Sequence, residues 1–376
     1  MLNKTNGNQD QPALFLPRAS LQRLLDALRA AGWRCHGPTV RDGAILYGPI
    51  SRADELPRGV HADQAPGSYR VRESDSPRQF AWANGPQALK PLLFAPRETL
   101  WRAKRAPDGA LRFEESAQQT QRIALIGARA CDLAALALQD KHFLQGRFRD
   151  PYYARRREAL FIVAVNCSHP ADTCFCASTG DGPRATSGFD IALSELDDGF
   201  VAEAAAERGR AILDGLALAP ASRAQLAQAA AESERAARMQ KRTLPSRNLR
   251  DALFRNLDHP RWSDVAQRCL SCGNCTSVCP TCFCHAENEV PALDGVESAH
   301  AREWDSCFTR GHSYLAGFTV RPDTRTRYRQ WLTHKLGSWH DQFGRSGCTG
   351  CGRCIAWCPV GIDITEEAAA ICAEDA

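Results

Sequence analysis

Cysteine is distributed very unevenly along this chain of 376 residues. Of its 17 cysteines, 12 lie between Cys269 and Cys372. In a small secreted protein such density would indicate disulfides, but this chain is long and its first residues lack the basic start and apolar stretch of a secretion signal. We therefore expect a cytoplasmic location, in which thiols stay reduced, and metal binding as the main use of the cysteines.

Two runs in the cysteine-rich part share the spacing C-x2-C-x2-C-x3-C-P. The first extends from Cys269 to Pro280 and the second from Cys348 to Pro359. In two-cluster ferredoxins, the first three cysteines of such a run hold one [4Fe–4S] cluster and the fourth holds the other. The spacing therefore predicts two clusters with crossed ligands, which are Cys269, Cys272, Cys275 and Cys358 for the first and Cys348, Cys351, Cys354 and Cys279 for the second.

Zinc is the main alternative explanation of these runs. Zinc sites usually combine two C-x2-C pairs, rather than three cysteines with a fourth that precedes proline. Two complete copies in one chain favour iron–sulfur clusters strongly over zinc or disulfides. Such clusters have no open coordination site for a substrate. We therefore expect them to transfer electrons, and we predict no catalytic residue in this chain.

A second group of cysteines lies in the first half of the chain. Hydrophobic patterns predict a strand, a helix and a strand at residues 122–127, 128–144 and 161–166. Cys131 falls at the start of the helix and Cys167 follows the second strand, and strand ends of a parallel sheet lie side by side. The pattern predicts a candidate third [4Fe–4S] cluster held by Cys131, Cys167, Cys174 and Cys176. The alternative is a set of buried cysteines without metal.

The chain is predicted to form two domains. Residues 1–245 are expected to form an α/β domain with a partly parallel sheet, and residues 250–376 a helical ferredoxin-like domain with a long insert at 280–347. Crossed ligation joins the two cysteine runs across this insert, so we expect the insert to form a lobe of its own on the cluster domain. Further predicted elements are a helix at 21–31, strands at 44–50 and 68–73, and helices across 200–242.

Composition narrows the function further. The net charge of +4 and the absence of any apolar run of eighteen residues argue against a dedicated nucleic-acid-binding or membrane protein. The basic stretch 321–335 is interpreted as a docking face for an acidic partner or as cations that raise a cluster potential.

The remaining cysteines of the last third are candidates for a further cluster. Three of them lie in the insert and the fourth lies near the C-terminus: Cys282, Cys284, Cys307 and Cys372. For Cys282 and Cys284 we favour packing around the ferredoxin core over metal binding.

Several blocks of the sequence resemble a known family. The chain resembles the iron–sulfur β subunit of cytoplasmic NiFe sulfhydrogenases, the NADP-linked soluble hydrogenases, and also the iron–sulfur subunit of anaerobic sulfite reductase, which belongs to the same dicluster family. The likeness covers most of the chain from about residue 120 onward. One departure, at 177–180, leaves the cysteines untouched. The resemblance rests on residues 127–136, 150–183, 259–284, 304–315 and 327–367.

This resemblance implies a heteromeric complex. Such a subunit lies between a flavin subunit that handles NAD(P)H and a catalytic pair, which is a small and a large NiFe hydrogenase subunit or, in the sulfite reductases, a sirohaem subunit. It also implies a cluster beyond the ferredoxin pair. We expect an electron-transfer subunit of a hydrogenase complex, and the alternative is the corresponding subunit of a sulfite or sulfur reductase. An iron–sulfur or zinc protein that binds nucleic acid is a less favoured third hypothesis.

Overall fold

The computed structural model describes residues 12–87, 89–116, 120–245 and 248–373. Its strands are β1 (Leu14–Pro17), β2 (Arg34–Arg41), β3 (Ala44–Pro49), β4 (Val60–Ala65), β5 (Ser68–Glu73), β6 (Arg97–Arg105), β7 (Leu111–Glu115), β8 (Ile123–Ala128), β9 (Leu160–Val165), β10 (Ile191–Glu195), β11 (Gly199–Ala204), β12 (Ala219–Pro220), β13 (His285–Pro291), β14 (Glu297–Trp304), β15 (Tyr314–Leu315) and β16 (Phe318–Thr319). Its helices are α1 (Leu21–Ala30), α2 (Lys90–Leu93), α3 (Ala130–Gln145), α4 (Pro151–Glu158), α5 (Cys176–Thr179), α6 (Glu207–Asp214), α7 (Arg223–Met239), α8 (Arg250–Arg255), α9 (Arg261–Arg268), α10 (Asn274–Ser277), α11 (Thr324–Thr333), α12 (Trp339–Phe343), α13 (Arg353–Ala356) and α14 (Ile364–Cys372).

The first part of the chain is built on a mixed sheet of eight strands. Their order is β12-β1-β11-β10-β9-β8-β2-β3, and the four strands β10, β9, β8 and β2 are parallel to their neighbours within that group. Strand β9 is buried along its whole length, as expected for a strand covered on both faces. The predicted mixed α/β sheet is therefore confirmed.

The predicted strand–helix–strand unit is present as β8, α3 and β9, with each boundary within two residues of the prediction. The helix predicted at 21–31 is α1, whose leucines share one buried face, and the strands predicted at 44–50 and 68–73 are β3 and β5. The prediction of helices across 200–242 was wrong at its start. Residues 199–204 form β11, because this segment pairs with both β10 and β1. Only α6 and α7 are helical there.

The insert does not form a separate lobe. Its strands β13 and β14 make a hairpin, and β14 pairs with β6 from the first part of the chain. The result is a four-stranded sheet in the order β13-β14-β6-β7, shared between the two parts. Sequence periodicity gives no information on such a long-range pairing. The boundaries 1–245 and 250–376 stay a prediction.

Outside the hairpins of the insert, the cysteine-rich part consists of short helices around an apolar core. Trp262, Tyr328, Trp331 and Leu336 are buried in this core together with side chains of α14. Glu367 of α14 accepts hydrogen bonds from Arg261 and fixes α14 against α9. No helix in the described residues is long and apolar enough to cross a membrane.

One buried carboxylate holds the shared sheet against the first part of the chain. The Glu98 side chain is 0% exposed and accepts hydrogen bonds from Arg156 of α4, at 2.6 Å, and from Arg302 of β14. The cost of burying the carboxylate is offset by these two cations. Losing its charge removes the shared anion from both arginines, although Arg302 keeps Asp150 as a second partner.

We expect Glu98→Gln to lower the free energy of unfolding by about 3–5 kcal/mol, the range for breaking a buried ion pair. The matched control is Glu303→Gln on the same sheet, because Glu303 pairs with the exposed Arg97 at 2.9 Å. That exposed pair should contribute less than about 1 kcal/mol. Denaturant-induced unfolding of both variants measures the difference. Equal losses would contradict the assigned role of Glu98.

Candidate metal centres

The first predicted group of cysteines lines one cavity. Cys269 follows the last residue of α9, Cys275 lies in α10, and Cys272 and Cys358 complete the group. Backbone amides at hydrogen-bonding distance face two of the sulfurs, from Ser271 to Cys269 Sγ at 3.4 Å and from Ile362 to Cys358 Sγ at 3.3 Å. All 17 cysteines lie within the described residues, and Cys272 is the only one of the 17 that is exposed. This group is therefore the one nearest to the protein surface.

The second predicted group lines a neighbouring cavity. Cys279, Cys348, Cys351 and Cys354 all face it, and Cys354 also lines the first cavity. The two cavities are therefore adjacent, as crossed ligation requires.

A buried lysine lies in the wall of this second cavity. Lys335 Nζ is 3.4 Å from Cys279 Sγ and donates to Thr281 Oγ1 at 2.9 Å. Burial disfavours the charge of Lys335, but the negative charges of Cys279 and Cys282 raise the pKa of its ammonium above the ordinary value.

The third predicted group also comes together. Cys131, Cys167, Cys174 and Cys176 line a cavity between α3 and the loop after β9. Asn84 Nδ2 donates to Cys131 Sγ at 3.2 Å, and Gln240 Nε2 donates to Cys176 Sγ at 3.3 Å.

The donor set of this third cavity fits an iron–sulfur cluster. Burial raises the pKa of the Cys176 thiol to about 12, so an unligated thiol there would be neutral. Iron would displace the proton, and the side-chain amides that already face Cys131 and Cys176 would stabilise the resulting thiolates.

The second and third groups are in direct contact. Cys351 packs against Cys131 and Cys176 in one small buried cluster of side chains. Phe175 N donates to Gly350 O at 2.8 Å, and a Cβ atom on Gly350 would lie 2.5 Å from the backbone nitrogen of Cys176. Gly350 also has a φ of +64°, a conformation that favours glycine. The three groups therefore form one continuous series.

A buried ion pair spans the same junction. Arg353 lies between two cysteines of the second group and is 0% exposed, and its Nη1 donates to Asp132 Oδ1 at 2.7 Å. Asp132 directly follows Cys131 of the third group. Arg353 also donates to the Gly85 carbonyl at 2.9 Å. The sequence did not mark Arg353 and Asp132 as a pair, nor Asn84 and Gln240 as partners of sulfur, because Asn84 and Gln240 approach their sulfurs from distant segments, and it marked Lys335 only as one cation of the basic stretch 321–335.

Several side chains of the basic stretch 321–335 are engaged within the fold. Its aromatic residues Tyr328 and Trp331 are buried in the apolar core, and Lys335 faces the second cavity. Arg327 and Arg329 donate to the backbone carbonyls of Phe308 and Leu257. These positions agree with the interpretation of the stretch as a source of cations near a cluster.

The cysteine groups are not arranged as sites for a single metal ion. Within the described ranges, no three His, Cys, Asp or Glu side chains are arranged to hold one ion. Zinc needs its ligands roughly 2.0–2.3 Å from one point. A cubane cluster is several atoms across and holds its thiolates further apart than one zinc ion does.

Comparison with known proteins agrees with this geometry. Residues 268–362 match the model of a 4Fe-4S dicluster domain. The chain is 34% identical over 247 residues to sulfhydrogenase 2 subunit beta of Pyrococcus furiosus, an alignment that covers 64% of this chain and 71% of that protein. No solved structure matches the chain.

Adjacent cysteine cavities on a mixed α/β support, together with the dicluster match, define an iron–sulfur electron-transfer subunit. Within that class, the chain belongs to the family of iron–sulfur sulfhydrogenase β subunits. The sequence-based identification is therefore confirmed.

Lys335 should raise the reduction potential at the second group. A buried cation stabilises the extra negative charge of a reduced cluster. We expect Lys335→Met to lower one midpoint potential by on the order of 50–100 mV, from a Coulomb interaction of about 1–2 kcal/mol. The control is Lys141→Met, which removes the same charge from an exposed position. An EPR-monitored redox titration of the purified chain measures both, and an unchanged potential in Lys335→Met would rule out this role.

Proposed function

We propose that this subunit transfers electrons between a flavin subunit that handles NAD(P)H and a NiFe hydrogenase pair of small and large subunits. The observation that carries the proposal is the unbroken contact between three groups of four cysteines. A [4Fe–4S] cluster accepts and releases one electron without moving atoms. The protein supplies the thiolates, the dry cavities and the short separations between them.

The cofactors assigned by the proposal are three [4Fe–4S] clusters. Two are held by the crossed cysteines of the two runs, and the third by the cysteines near α3. Support for the third is the convergence of four thiols on one cavity, with amide donors from Asn84 and Gln240 facing two of them.

One end of the series reaches the protein surface. Cys272 is exposed, and so are Leu270, at 64%, and Val360, at 37%. Exposed apolar side chains around a redox site are suited to a partner that docks closely and excludes water. We assign this surface to one of the two redox partners.

Sulfite or sulfur reduction is the second candidate for the complex. The relay itself would be unchanged, and only the terminal subunit would differ. A gene for a NiFe large subunit beside this one supports the hydrogenase, and a gene for a sirohaem protein supports the reductase. Nucleic-acid binding has less support, because the aromatic residues of the basic stretch are buried and unavailable for stacking on bases.

Counting iron tests the third cluster. We expect the anaerobically purified chain to lose about four iron and four sulfide atoms in Cys174→Ser, the content of one [4Fe–4S] cluster. The control is Cys35→Ala, since Cys35 is buried in the core beside α1 and its Sγ contacts the Leu25 carbonyl. If Cys174→Ser keeps the iron content of the control, the third cluster is excluded.

Activity measurements on the assembled complex test the relay. We expect Cys272→Ser and Cys351→Ser each to damage one cluster and to reduce NAD(P)H-linked activity by at least tenfold. Hydrogen-dependent dye reduction at the catalytic pair should persist, because that reaction does not need this subunit. Unchanged NAD(P)H-linked activity in a variant that has lost iron would show that electrons do not pass through the damaged site.

A further inference from the structure

Two cysteine side chains meet where the β13–β14 hairpin begins and ends. Cys284 directly precedes β13, and Cys307 follows β14 by three residues. The two strands pair with His285 opposite Trp304, and Asp305 N donates to the Cys284 carbonyl at 3.0 Å. This pairing brings the Cys284 and Cys307 thiols into hydrogen-bonding contact, although they are far apart in sequence. Both side chains are half-buried.

A histidine and a carboxylate extend this contact. His312 hydrogen-bonds to Cys284, and its Nδ1 is 2.7 Å from Asp305 Oδ2. The hydrogen bond from Cys307 and the nearby imidazole lower the pKa of Cys284 to about 4, although burial opposes the charge. The bond to Cys284 in turn raises the pKa of His312 to about 9. At neutral pH the pair is therefore a thiolate with a thiol that donates to it, and the thiolate is the reactive form of cysteine.

The residues on both sides of Cys307 contact the first group of cysteines. Thr276, which directly follows Cys275 in α10, donates from its Oγ1 to Ser306 Oγ at 2.8 Å. Phe308 lines the cavity that the cysteines of the first group share. The segment of Cys307 therefore forms part of the wall around the first predicted cluster, so that electrons have only a short distance to cross between the two.

We propose that Cys284 and Cys307 form a redox-active pair, which exchanges two electrons with the cluster of the first group by making and breaking a disulfide. This inference rests on the clusters assigned under the proposed function. On oxidation a bond forms between the two sulfurs, the Cys307 thiol releases its proton, and two electrons pass one at a time to the cluster and onward along the series. Reduction reverses each step, and Cys284 returns as a thiolate beside the imidazolium of His312. The pair adds a two-electron store to a series of one-electron carriers.

The pair gives two of the remaining cysteines a common role. The sequence favours packing for Cys284, but packing alone does not require the contacts with Cys307 and His312. Cys282 contacts the second group and is not part of the pair. Cys372 is buried in α14, within the apolar core of the cysteine-rich part. No local spacing marks the pair, because strand pairing across the hairpin brings its two members together.

Electron counting on the purified full chain tests the proposal. In an anaerobic reductive titration that starts from the dye-oxidised protein, we expect the wild-type chain to take up about two more electrons than Cys307→Ser, because one disulfide accepts two. The iron content of Cys307→Ser should equal that of the wild-type chain, since the variant removes no cluster ligand. The matched control is Cys35→Ala, which should take up as many electrons as the wild-type chain. Equal uptake by the wild-type chain and Cys307→Ser, or a loss of iron in Cys307→Ser, would overturn the proposal.

Thiol mapping tests the pair in the wild-type chain and does not depend on the folding of a variant. The chain is oxidised or reduced anaerobically, denatured, alkylated with iodoacetamide and digested for mass spectrometry. We expect the peptides of Cys284 and Cys307 to be joined in the oxidised chain and both thiols to be alkylated in the reduced chain, whereas Cys35 should be alkylated in both. If both thiols are alkylated while the clusters give their oxidised spectrum, the pair is not redox-active. A chain without any cluster spectrum would contradict the proposed function instead, so the two failures are distinguishable.

Discussion

The close approach of two backbone loops determines how the redox sites are arranged. The segment of Cys174 and Cys176 lies directly against the segment of Gly350 and Gly352, so that a Cβ atom on Gly352 would lie 2.4 Å from the Thr173 carbonyl oxygen. Any other residue at these two positions would push the loops apart. Because the loops carry cysteines of different groups, the contact keeps the second and third groups adjacent. The glycines inside the C-x2-C-x2-C motif thus serve two purposes, the turn around a cluster and the contact with its neighbour.

A buried ion pair at the same junction fixes the orientation of the two parts. Arg353 and Asp132 are both nearly inaccessible, and such a pair contributes little net stability, because desolvation offsets most of the attraction. Its effect is on specificity, since a shifted arrangement would leave a buried charge without a partner. Arg353 also places a positive charge beside Cys351, and Lys335 does the same beside Cys279. The interior around the sulfurs therefore stabilises negative charge, and reduction of a cluster adds negative charge there.

The cysteine spacing predicted most of the site, and the strand pattern predicted part of the fold. The two C-x2-C-x2-C-x3-C-P runs contain all the cysteines of the first two groups. The strand–helix–strand pattern correctly placed Cys131 at the start of a helix. The errors have a common cause in long-range pairing. Strand β11 lies in an alanine-rich segment whose local preference is helical, and its pairing with β1 and β10 overrides that preference. Asn84 and Gln240 reach sulfur from remote segments, and no local pattern marks them.

The pairing of the insert with the first part of the chain explains why the insert is long. A compact dicluster domain needs only a short connection between its two cysteine runs, whereas here β14 crosses to pair with β6 and Arg302 reaches the buried Glu98. The insert is thus anchored to the first part of the chain, not to the cysteine-rich part alone. The same pairing closes the hairpin that brings Cys284 to Cys307. One sheet therefore joins the two parts of the chain, and the cysteine-rich part keeps its position against the first part through this strand pairing and the Glu98–Arg302 ion pair.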